Sequence, residues 1–98
     1  MPTYVSLIKW TEQGARNAKD TVNRSEQAQS LAERMGGRFV STYWTQGAYD
    51  IVAVFEFPDD ESFSAFALAI AAAGNLRTES MRAYSADDMR RILGKLPG

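Results

Sequence analysis

Two β-rich runs, Arg38 to Thr45 (RFVSTYWT) and Tyr49 to Phe57 (YDIVAVFEF), are separated only by Gln46-Gly47-Ala48. A connection that short, with a glycine inside it, suits a hairpin and makes the two runs antiparallel neighbours, because a parallel pair needs a crossover of about a dozen residues. The rest of the chain is arranged around this hairpin. Thr3 to Trp10 (TYVSLIKW) alternates Tyr4, Ser6, Ile8 and Trp10 against Val5, Leu7 and Lys9, which predicts a first strand. Thr11 to Arg24 is polar, lacks a sustained apolar period, and carries Gly14, Asn17, Asp20 and Asn23, so it reads as a long loop with room for a helical turn. A loop of that length is uncommon in a small domain and is often either functional or folded over something.

From Ser25, a residue type that caps helices, Ala28, Leu31, Ala32 and Met35 recur at helical spacing until Gly36-Gly37 ends the run. Beyond the hairpin, Pro58-Asp59-Asp60-Glu61 opens a second helix over Asp60 to Ala73, with Phe63, Phe66, Ala67, Ile70 and Ala71 along one stripe. Leu76 to Tyr84 alternates as a fourth, more polar strand, and Ser85-Ala86-Asp87-Asp88 resembles a capping box before a short terminal helix. Strand, helix, hairpin, helix, strand is the ferredoxin-like βαββαβ order of an α+β domain, which predicts a four-stranded antiparallel sheet with both main helices on one face. Apolar side chains fall on both faces of the predicted strands. Self-association, most simply a dimer, would cover the second one.

Composition narrows the function classes. The 98 residues make a single domain, residues 1–98, whose size leaves a monomer marginal. Eleven basic against 12 acidic side chains give a formal charge of −1, which argues against nucleic acid as a partner. Without cysteine or histidine the chain lacks the thiolate nucleophile, the commonest general base and the commonest metal ligands, so no metal or cofactor is expected. No apolar run reaches the ~18 residues of a membrane span, and Met1-Pro2-Thr3-Tyr4 leads into a strand rather than a signal peptide; a cytoplasmic protein is expected.

The densest group of chemistry-bearing residues is Tyr43-Trp44-Thr45-Gln46-Gly47-Ala48-Tyr49-Asp50. Large rings with polar tips can line a pocket and orient a ligand; equally, they can cement a core or an oligomer interface, with Asp50 satisfying turn N–H groups. An acid at the start of a strand asks for a reason. Buried beneath the helices, Asp50 would serve as a general base, with Tyr49 as hydrogen-bond donor; exposed to water it would mean little. Arg77 on the fourth strand is a candidate anion anchor or an ordinary interstrand ion-pair partner. Trp10 closes the first strand just before the polar segment, either at a pocket mouth or as a hydrophobic anchor. Asn75, Arg77 and Thr78 form a second candidate site, or else a solvated edge. Asp59, Asp60 and Glu61 complement a helix start rather than gather round a metal.

Pro2-Thr3-Tyr4-Val5-Ser6-Leu7 with Trp10-Thr11 and Gly14, then Tyr43-Trp44-Thr45 with Gly47-Ala48-Tyr49-Asp50, then Gly74-Asn75-Leu76-Arg77-Thr78-Glu79, together resemble the GYD-domain family of small bacterial proteins. The resemblance covers roughly residues 2–93 and implies a ferredoxin-like fold of the dimeric α+β-barrel type, without an established activity. Some related barrels are cofactor-free monooxygenases or isomerases, and others are sensors or ligand binders. The expected protein is therefore a homo-oligomeric small-molecule binder with an aromatic-lined pocket between sheet and helices. Its ligand contacts would be Trp10, Tyr43, Trp44, Asn75, Arg77 and Thr78, for a small hydrophobic or aromatic molecule. Two alternatives stand beside it: a cofactor-free enzyme with Asp50 as base, and a purely structural module.

Overall fold

Alternation along the first strand, β1 (Thr3–Trp10), decides the layout: Tyr4, Ser6 and Ile8 are buried, whereas Val5 and Leu7 point to the opposite face and are half-buried. A computed structural model describes all 98 residues. After β1 come α1 (Glu12–Arg16), a single 3-10 turn at Ala18–Asp20, α2 (Thr21–Arg34), β2 (Arg38–Trp44), β3 (Ile51–Glu56), α3 (Asp60–Ala72), β4 (Leu76–Ala83) and α4 (Ala86–Leu93). The strands form one antiparallel sheet in the order β2-β3-β1-β4.

The core lies between this sheet and the helices α2 and α3. Ile51, Ala53 and Phe55 of β3, with Phe57 beyond it, join Tyr4 and Ile8 of β1 and meet Phe63 and Phe66 of α3 and Ala32 of α2. Tyr4 stacks on Phe63 with ring centroids 4.2 Å apart, and Phe55 meets Phe66 edge-on at 5.1 Å. Gly37 is required by this packing, because a Cβ there would lie 2.5 Å from the Phe57 ring. Asp59 caps α3 by accepting the Ser62 N–H at 2.8 Å, which holds its carboxyl below the usual range.

The sheet is not a barrel. In the observed order β2 and β4 stand at opposite edges and never pair, so the expected closed, ferredoxin-like dimeric α+β barrel is corrected to an open four-stranded sheet flanked by helices. The two edges differ. β4 pairs with β1 without interruption from Leu76 to Ala83, whereas β2 slips register between Phe39 and Ser41 and leaves Val40 as a bulge, 47% exposed.

The polar segment Thr11 to Arg24 is also corrected: α1, the 3-10 turn and the first turn of α2 replace the expected loop, and α2 begins at Thr21 rather than Ser25. Thr11 caps α1 by accepting the Gly14 N–H, and Glu12 pairs with Arg16 one turn on. This helix docks through an absent side chain. A Cβ on Gly14 would sit 2.1 Å from the Asn75 carbonyl oxygen, so α1 reaches β4 only because Gly14 has none. The hairpin connection is longer than the expected three residues. β2 ends at Trp44 and β3 starts at Ile51, with the loop closed by Thr45 N–H donating to the Asp50 carbonyl at 2.8 Å and Thr45 Oγ1 to the Tyr49 carbonyl at 2.6 Å.

One sheet face and one helix remain uncovered. Val52 and Val54 join Val5 and Leu7 on the face away from the helices, with Tyr43 and Met81 66% and 49% exposed. The terminal helix α4 is capped by a Ser85–Asp88 box and buries no residue against the body. Its Met89 and Leu93 stay exposed, as does Leu96 just beyond it. The molecule is accordingly 54 Å long and 18 Å thick, and its 14.9 Å radius of gyration exceeds the roughly 13 Å of a compact 100-residue domain. No helix is long and apolar enough to cross a membrane.

Candidate functional site

The two main helices splay apart where they cross the sheet and leave a cleft of about 340 Å³. Its walls are Ala28 and Leu31 of α2, Ala67 and Ile70 of α3, and Phe39 and Phe55 of the sheet. Its floor is unusual in carrying small hydroxyls at inward-facing strand positions: Ser6, Thr42, Thr78 and Ser80. Ser6 and Ser80 face one another across β1 and β4 and share a hydrogen bond of 2.8 Å. The Thr42 hydroxyl is buried and has no partner in the protein, a state that costs about 1–3 kcal/mol unless something else meets it. At one end, Trp44 Nε1 donates to Thr21 Oγ1 at 3.0 Å and ties β2 to the start of α2. Arg24 stands in that same first turn, with Nη1 donating to the Asn17 carbonyl at 2.6 Å and Nη2 reaching the Gly14 carbonyl at 3.4 Å.

The residues singled out in the sequence divide between three places. Asn75 and Thr78 line the cleft. Asn75 also accepts Gln13 Nε2 at 2.9 Å and, through its carbonyl, the Thr11 N–H at 3.0 Å, so it anchors α1. Asp50 and Trp10 meet at the end of the sheet: Asp50 Oδ2 accepts the Trp10 N–H at 2.9 Å, and the Asp50 N–H donates to the Ile8 carbonyl at 2.8 Å. The Trp10 indole N–H is buried there without a partner. Tyr49 and Tyr43 belong to neither place. Tyr49 donates its hydroxyl to Glu79 at 2.9 Å, which raises its pKa above the ordinary tyrosine value, and Lys9 lies 5.3 Å above its ring. Arg77 sits opposite Lys9 in the β1–β4 register and is exposed. Trp44 touches the cleft through Thr21 alone.

A second group went unnoticed in the sequence. Tyr4 donates its hydroxyl to Asp60, and Arg82 lies 5.6 Å over the Tyr4 ring, 5.0 Å over Tyr84 and 3.8 Å from Asp60. Burial of the ring, then the bond to Asp60 and its negative charge, push the Tyr4 pKa up to about 12 against the opposing pull of Arg82. Tyr4, Asp60 and Arg82 edge a further groove between α3 and β4, with Leu68 and Met81 in its apolar part. The signal for the cleft was legible as Ser6 of β1 and the alternate Thr78 and Ser80 of β4, small hydroxyls where a filled core would hold bulk. Only the hydroxyls facing α2 and α3 matter, and that needed the helices placed. No group of three acidic, cysteine or histidine side chains comes together to hold a metal ion.

The profile of the GYD domain matches residues 4–93, which spans β1 to the end of α4. The chain belongs to the GYD-domain family. A protein of Thermus thermophilus named glutamine synthetase and cystathionine beta-lyase binding protein is 31% identical over 90 residues, which are 91% of this chain and 95% of that protein. The crystal structure of TTHA0845, also from Thermus thermophilus, superposes with a TM-score of 0.57 at 23% identity, over 88% of this chain and 96% of that one. At that identity the likeness speaks for the fold only. Trp10, Gly14, Asp50 and Asn75 fasten main chain to main chain at the sheet end.

Proposed function

We propose that this GYD-domain protein binds a small molecule in the cleft between α2, α3 and the sheet. One observation carries the reading: apolar walls enclose a buried Thr42 hydroxyl that nothing in the protein satisfies, and a polar atom of a bound molecule would satisfy it. Asn75 and Thr78 are the family positions placed to touch such a molecule. Trp10, Asp50 and Trp44 then support the site by holding the strand ends and the start of α2. The enzyme reading built on Asp50 draws less support, because its carboxylate is engaged with the Trp10 main chain and does not line the cleft. Native mass spectrometry of the purified protein against a mixed small-molecule library tests the site. Wild type is expected to retain a ligand and Ala28→Phe, which fills the cleft, to lose it; equal retention by both would sink the proposal.

Self-association belongs to the same proposal. Val5, Leu7, Val52 and Val54, flanked by Met81 and Tyr43, make an apolar sheet face that a second copy would cover. Sedimentation velocity at micromolar concentration is expected to give a species larger than 10.9 kDa that Val54→Lys dissociates.

A second reading is favoured by α4. Its exposed Met89 and Leu93, with Leu96, offer an apolar stripe suited to another protein, and the Thermus thermophilus relative carries a name for binding two enzymes. Pull-down with purified glutamine synthetase separates the readings, since protein binding through α4 would survive Ala28→Phe and fail in Leu93→Asp.

A further inference from the structure

The cleft has a sign. Arg24 and Arg34 are its only charged lining residues, and no aspartate or glutamate reaches it, although the chain as a whole carries 12 acids to 11 bases. The two arginines lie ten residues apart on α2, about 15 Å along the axis, and so mark its two ends. They are not equivalent. Arg34 is exposed and makes no hydrogen bond, whereas Arg24 is half-buried and held by two main-chain carbonyls, which fixes its guanidinium at the rim while leaving further N–H groups free.

Two features add to the Arg24 end. Thr21 and Ser25 of the same turn line the cleft and present hydroxyls. α2 begins there without a side-chain cap, because Asp20 accepts from Asn23 Nδ2 instead, so first-turn N–H groups and the positive end of a 14-residue helix add to the guanidinium. Away from this corner the walls are hydrocarbon and ring: Ala28, Leu31, Phe39 and Ile70.

We infer that the cleft takes a small apolar carboxylic acid, with its carboxylate at Arg24 beside the first turn of α2 and its hydrocarbon or aromatic body against Leu31, Phe39 and Ile70. This rests on the reading of the cleft as a ligand site and adds the class of ligand. A neutral apolar molecule would leave the donors of the corner facing nothing, and a cation would be repelled. A carboxylate would accept from the free guanidinium N–H groups of Arg24.

The test is isothermal titration of the full-length protein with decanoate and 3-phenylpropanoate as acids, decan-1-ol as the neutral control and decylamine as the cation. The acids are expected to bind saturably and the alcohol and amine at least tenfold more weakly, with the two acids distinguishing an aliphatic from an aromatic body. Arg24→Gln is expected to lower acid affinity at least tenfold without changing that of the alcohol. Because Arg24 also steadies α1, Ser25→Ala, at the neighbouring position of α2, serves as a second variant that leaves those contacts intact and should cost the acids a few-fold. Alcohol binding as tight as acid binding, or acid binding indifferent to both variants, would overturn the anionic class while leaving the cleft a ligand site. No binding by any of the four probes would remove the ligand site and this inference together.

Discussion

The sheet end around Trp10, Asp50, Gly14 and Asn75 and the cleft around Thr42, Ser80 and Arg24 are built from similar polar groups put to opposite use. At the sheet end the main-chain and carboxylate groups are engaged, Asp50 with Trp10 and Ile8, Thr45 with the hairpin, Asn75 with Gln13 and Thr11, and only the buried Trp10 indole N–H is left over. In the cleft a buried hydroxyl and a pinned guanidinium still have capacity. The residues on which the sequence resemblance rests are thus mostly fasteners. The proposed binding groups are side chains too ordinary to form a motif.

Gly14→Ala is the harshest way to break this division. Its Cβ would fall 2.1 Å from a backbone oxygen, which cannot move aside as a flexible side chain would, so α1 must lift off β4. A loss of about 2–3 kcal/mol is expected in urea denaturation. Asp50→Ala leaves the Trp10 N–H without its acceptor and should cost about 1–2 kcal/mol while acid binding in the cleft is unchanged. A variant that folds normally yet loses ligand would move Asp50 from fastener to site.

Thr42→Val sharpens the comparison from the other side. It removes a hydroxyl that lacks a partner, so thermal stability is expected to hold or rise by up to about 1 kcal/mol, while ligand affinity falls. The smallest effect concerns Tyr4. Its folded pKa of about 12 lies above the ordinary 10.0, so between these values the folded chain keeps a proton that the unfolded chain has released. The stability this gives is present below pH 10 and is lost as the pH climbs towards 12. Tyr4→Phe should flatten that slope in denaturation curves recorded from about pH 9 to about pH 11.5.

Much of the architecture was legible because it rests on repeats of apolar side chains. Phe63, Phe66 and Ile70 announce α3 by spacing, and its observed span, Asp60–Ala72, differs from the expected one by a single residue. α1 escaped because its packing depends on a missing side chain at Gly14, and hydrophobic periodicity registers only what is present. The barrel fails as an expectation because closure depends on which strand edges meet, a long-range relation that β2 and β4 do not carry in their residues. Of the cleft lining, Asn75 and Thr78 were within reach because they stand out as polar groups on a strand just after Gly74. Thr42 and Arg24 were not, since the first resembles any strand threonine and the second lies in a segment that reads as loop. How far α2 and α3 stand apart follows from packing across the whole sheet.

The bulge at Val40 has a further consequence. A flat ribbon with two clean margins can add copies at both sides without limit and grow into a fibre, whereas here one margin is kinked and only the other offers an unbroken row of main-chain donors and acceptors. Joining of chains through that row alone would stop at a pair.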